Sequence, residues 1–85
     1  MNYKFSKELI LRNFPTKESV LFNLNIGVEL AAVKDSLKDN DRLDFLCDCH
    51  TALERKDIKK AADLARRAGY ALMAEAITLH WGINE

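Results

Sequence analysis

An 85-residue chain with 48% hydrophobic residues is too apolar to be disordered and long enough for one modest core. Its thirteen basic and thirteen acidic residues cancel, which withholds the cationic background that nucleic-acid binding draws on. Two cysteines make no disulfide framework, no apolar run approaches the roughly 20 residues that cross a bilayer, and the opening MNYKFSKELILRNF carries charges within its apolar pattern and no cleavage-site signature. The expectation is a single domain, residues 1–85, in the cytoplasm and away from membranes.

Only three glycines and one proline punctuate the chain, and no Asn-Gly or Asp-Gly hairpin signal occurs. Helical periodicity predicts an all-α fold, a small bundle of four to five short antiparallel helices. Ser6 can cap a first helix to about Asn13, with Phe5 and Ile10 spaced as a hydrophobic staple. After Pro15, Thr16 can cap a longer helix reaching Leu37. The polar run Lys38-Asp39-Asn40-Asp41 is read as its end and as the cap of a third helix over about 42–55. Asp57 caps a fourth, Ile58 to Ala68, which Gly69 stops in a left-handed conformation. A fifth runs from Tyr70 to His80 or Trp81.

The second helix carries two apolar rows. Val20, Leu21, Leu24, Val28 and Ala32 form one; Phe22, Ile26, Leu30, Val33 and Leu37 form the other. Asn25, Glu29 and Ser36 divide the rows on one side, and Asn23, Gly27 and Lys34 on the other. So small a domain has little material to cover both. Either the helix is sandwiched internally, or one row is left for another chain. The row Phe22, Ile26, Leu30, Val33 and Leu37 is the candidate partner-binding surface, and a second copy could supply the partner.

On the third helix, Asp44, Asp48, Thr51 and Arg55 make one narrow polar stripe. The rest of its surface is apolar, which predicts the central, most buried helix. It also holds the sequence Cys47-Asp48-Cys49-His50. At about 100° per residue, Cys47 and Cys49 lie roughly 200° apart and can share neither an ion nor a disulfide. Cys47 and His50 could share a metal only with two further ligands. Both thiols are therefore expected to be buried structural residues, and His50 a core-edge residue bonded to a backbone carbonyl. No metal or cofactor is expected. With no Ser/His/Asp constellation and no glycine-rich phosphate loop, neither is enzymatic activity.

The fourth helix turns Lys59, Lys60, Asp63, Arg66 and Arg67 outward, continued by Arg55 and Lys56. Such a stripe is usually just solvated; its sharper reading is a face, led by Lys59, Lys60, Arg66 and Arg67, for an acidic protein or a nucleic-acid backbone. Tyr70 and Trp81 share one side of the last helix with Ile77 and are expected in the core. Ala65 followed by Gly69 looks like a helix-turn-helix, but that reading requires apolar residues near Glu75 and Thr78, and both are polar.

Residues 42–75 resemble one tetratricopeptide (TPR) hairpin. Asp57 and Ile58 match the polar and bulky residues of its turn. Ala61 and Ala68 match its small contact positions, with Phe45 in place of the usual tryptophan and Cys49 in place of the glycine. Asp48 departs from the pattern, where an apolar residue is the rule. One repeat cannot build a solenoid, which needs about three. The resemblance implies a close α-hairpin in the C-terminal half. Excess apolar helix surface without catalytic residues points to a small protein-binding module: an adaptor, chaperone-like subunit or inhibitor of a larger complex. The alternative is a nucleic-acid-binding or regulatory protein using the basic face.

Overall fold

The computed structural model describes residues 4–34 and 37–82, apart from the side chains of residues 34 and 37–40. Among the described residues the chain forms five helices and no strand: α1 (Lys7–Asn13), α2 (Lys17–Lys34), α3 (Leu37–Glu54), α4 (Ile58–Arg67) and α5 (Ala71–Trp81). Each of α2 to α5 packs against its neighbour in sequence; α5 also meets α1 and α2. The fold is a small all-α bundle, as the periodicity predicts.

The helix starts follow local hydrogen bonding. Ser6 Oγ accepts from the Leu9 amide at 3.2 Å, and Phe5 packs against the core that holds Ile10. At α2, Thr16 Oγ1 accepts from the Ser19 amide and Ser19 Oγ accepts from the Thr16 amide, both at 3.1 Å. This is a reciprocal capping box with serine in the place usually held by Glu or Gln.

Two expected boundaries are corrected. α2 ends at Lys34 rather than Leu37, and α3 begins at Leu37 rather than 42. The run Lys38-Asp39-Asn40-Asp41 is helical, because nothing in it removes an amide donor or requires a positive φ. Leu37 thus leaves the row of α2 and opens α3, with its side chain outside the described residues. Asp57 precedes α4 but makes no side-chain cap. The α3–α4 turn is closed instead by the Asp57 amide on Ala52 O (2.8 Å) and the Lys56 amide on Leu53 O (3.1 Å). This paired pattern needs a left-handed residue, and Lys56 provides it at φ 63°. Gly69, at φ 92°, provides it in the corresponding turn after α4, where the Tyr70 amide reaches Ala65 O at 2.9 Å.

The most enclosed helix is α5, not α3. Met73 to Thr78 are buried without interruption, and of α5's residues only Ala71 is exposed. α3 buries one side, through Leu46, Cys49, Ala52 and Leu53. Glu75 and Thr78 are 6% and 5% exposed, so polar residues do face inward here. Each is satisfied: the Glu75 carboxylate accepts from the Lys4 and Phe5 amides, the latter at 3.0 Å, and Thr78 Oγ1 donates to Ala74 O at 3.1 Å. The premise that their polarity bars a helix-turn-helix is therefore wrong. That motif fails for a better reason, since α5 has no free face to lay in a DNA groove.

His80 Nε2 donates to Phe14 O at 2.6 Å, so α1 and the segment around it are held to α5 by hydrogen bonds at both ends. The helices fill about 36 × 25 × 21 Å. The two shorter dimensions are about two helix diameters, so α2 and α3 each retain an outer face.

Candidate protein-docking surface

α2 places its two apolar rows on opposite sides of the wall it forms. Val20 and Leu24 are buried, with Leu21 and Val28 half-buried beside them. Ala32, expected in this row, is exposed, and Ala31 is buried in its place, because the inward face is centred nearer Val20 and Leu24 than the row's far edge. The other row points out: Phe22 is 65% exposed, Ile26 37%, Leu30 55% and Val33 81%. Gly27 explains which row faces in. A Cβ at this position would lie 3.2 Å from Leu46 Cδ1 and 3.3 Å from the Tyr70 hydroxyl. The missing side chain lets α3 and Tyr70 close against the backbone of α2, which fixes the rotation of the helix and turns the second row to the surface.

Beside that row lies a groove of about 270 Å³, lined by Phe14, Asn23, Ile26, Gly27, Leu30, Tyr70 and Met73. Ile26 and Leu30 belong to both the row and the groove. The sequence reading missed Phe14, Tyr70 and Met73 as groove residues and treated Asn23 and Gly27 as mere separators. A legible signal was available in the spacing of residues 23, 26, 27 and 30. α1 adds two exposed leucines, Leu9 and Leu11.

The cysteine segment divides. Cys49 is fully buried; its Sγ donates to Ala61 O at 3.2 Å, and burial pushes its pKa up from 9.0 to about 11. Cys47 is exposed, contrary to the expectation that both thiols are enclosed. Only the face of α3 that meets α2 and α4 is covered, and the half turn between the cysteines carries Cys47 away from it. His50 is half-exposed and pairs through Nδ1 with Glu54 Oε1 at 2.9 Å, not with a backbone carbonyl. Among the described residues no three His, Cys, Asp or Glu side chains come together as metal ligands.

On α4, Lys59, Lys60, Arg66 and Arg67 are exposed, yet Arg67 Nε is engaged by Asp63 Oδ2 at 3.0 Å. The polar cleft nearby, about 510 Å³, mixes Arg55 and Lys60 with Asp48 and Asp57. Arg55, Lys56, Lys59, Lys60, Arg66 and Arg67 are all exposed here, with Asp57 and Asp63 among them. The stripe therefore carries a local excess of positive charge that Asp63 offsets in part at Arg67. Trp81 and Tyr70 are half-buried against the core, with Lys17 Nζ 5.4 Å from the centre of the Trp81 ring.

No helix among the described residues is long and apolar enough to cross a membrane. The chain matches no family model, no curated protein and no solved structure.

Proposed function

We propose that the protein is a non-enzymatic protein-binding module, of adaptor type, that docks another chain through the outward row of α2. The observation that carries this is the continuous exposure of Phe22, Ile26, Leu30 and Val33 on one rigid helix. Single exposed apolar residues are ordinary surface. Four in register, beside an apolar groove, make a patch of the size that on monomeric proteins is often functional. The likeness of residues 42–75 to a TPR hairpin supports the same reading, since Cys49 and Ala61 let α3 and α4 approach closely and build a firm backing for α2. An apolar environment-sensitive dye tests the surface directly. Dilute wild-type protein should enhance its fluorescence, and a Phe22→Asp, Leu30→Asp double variant with unchanged helical content should not. Equal enhancement by both proteins refutes the docking role of this row.

A further inference from the structure

We infer that the chain covering the α2 row is a second copy of the protein, with the two α2 helices packed antiparallel about a twofold axis near Val28. This rests on the docking role of the row. The α2 residues that line the groove are Asn23, Ile26, Gly27 and Leu30. Their offsets, i, i+3, i+4 and i+7, are the four corners of the hole that receives one side chain from a facing helix in knobs-into-holes packing. At the Gly27 corner the floor of that hole is made by the Tyr70 ring, which closes against the glycine, and the groove continues along Tyr70 to Met73. The site is therefore shaped for a helix.

The row answers which helix. Phe22 to Val33 spans about 16 Å along the axis, one helix wide. Read against its own reverse, it is self-complementary. An axis near residue 28 sets Ile26 opposite Leu30 of the other copy, and Phe22, the largest side chain, opposite Val33, the smallest. The same register drops Leu30 of the other copy into the hole. Each copy offers both knob and hole, which is what an isologous interface requires. Asn25 and Glu29 are exposed and lie to the outer flank, away from the hole, so the pairing buries no charge at its centre. The four side chains present on the order of 400 Å² of apolar surface. With the flanks of the helix beside them, two copies reach the roughly 1,000 Å² total of a specific interface.

Sedimentation equilibrium from low micromolar to several hundred micromolar is the primary test. Wild-type protein should pass from monomer to dimer. Leu30→Glu and Val33→Glu, both at exposed positions, should each weaken the association at least tenfold while keeping the wild-type helical content. A strict monomer over the whole range overturns the second-copy proposal, and the docking role survives if the row still binds the dye. A dimer unaffected by either variant places the contact elsewhere and also overturns it. Orientation is tested by oxidation in a Cys47→Ser background. Mixed Phe22→Cys and Val33→Cys chains should cross-link to each other, and Phe22→Cys alone should not. Efficient self-linking of Phe22→Cys contradicts the antiparallel register.

Discussion

α5 and α2 are both apolar around most of their circumference, yet one is enclosed and the other half-naked. α5 meets α1, α2 and α4, and every position from Met73 to Thr78 is buried. α2 meets α3 and α5 on one side, and its second row is left to solvent. The difference teaches that apolarity specifies which residues seek cover, whereas the number of neighbouring helices decides which obtain it. In a bundle about two helices thick, a peripheral helix can keep an apolar surplus at its surface, and the proposed docking rests on that surplus.

The contrast is broken most easily by comparing truncations on the two helices. Ile77→Ala should cost about 2–5 kcal/mol in urea unfolding, because it opens a void in a closed core. Phe22→Ala, measured at a concentration where the chain is monomeric, should stay within about 0.5 kcal/mol. Similar losses from both would mean that the outer row of α2 is already packed within the monomer.

Glu75 sharpens the same contrast on the polar side. Glu75→Ala removes the acceptor for the Lys4 and Phe5 amides from a buried position and should destabilise the fold by about 1–3 kcal/mol. The loss should appear first as faster amide exchange in α1, which is held to α5 by these bonds and by His80. Unchanged exchange in α1 would show that apolar contacts alone hold it.

A gain of about 1 kcal/mol is expected from Lys56→Gly, since Lys56 is the non-glycine residue at positive φ in a turn of the same design as the one at Gly69. A loss on thermal unfolding would mean that the Lys56 side chain contributes more than its backbone costs.

The thiols report the inside-outside division without altering a large side chain. In the native protein one thiol per chain, Cys47, should react readily with an alkylating reagent, and Cys49 only on unfolding. Burial holds the Cys49 proton up to about 11, against 9.0 for the free group. Its contribution to stability is therefore complete below pH 9 and is lost as pH rises from 9 towards 11. Cys49→Ala should flatten that part of the stability profile relative to wild type. Two fast thiols, or an unchanged alkaline slope, would place Cys49 at the surface.

Much of this architecture could be read from residues that act locally. Ser6, Thr16 and Gly69 mark helix ends through their own hydrogen bonds or backbone freedom, and the five helices follow from them in order. The α2–α3 boundary was hidden because the polar run before Arg42 is rich in Asp and Asn, which read as a helix cap, yet it holds no Gly or Pro to break a helix. The central helix was misjudged for a related reason. A helical wheel counts Glu75 and Thr78 as polar and so as outward, but hydrogen bonds to Lys4, Phe5 and Ala74 make burial tolerable. Cys47 was misplaced because cysteine as a type is usually buried, while its position on α3 faces away from every neighbour. On α2 the wheel resolved both rows but could not rank them. That choice is made by Leu46 and Tyr70 closing on Gly27, a contact between residues far apart in sequence.

The central claim, that the outer row of α2 is covered by another chain and not by its own, is tested most directly by hydroxyl-radical footprinting across protein concentration. Phe22, Ile26, Leu30 and Val33 should be oxidised readily in dilute solution and become protected as concentration rises, while exposed Leu9 and Leu11 on α1 stay reactive throughout. Protection of the row at the lowest concentration, or reactivity that never changes, would contradict the account.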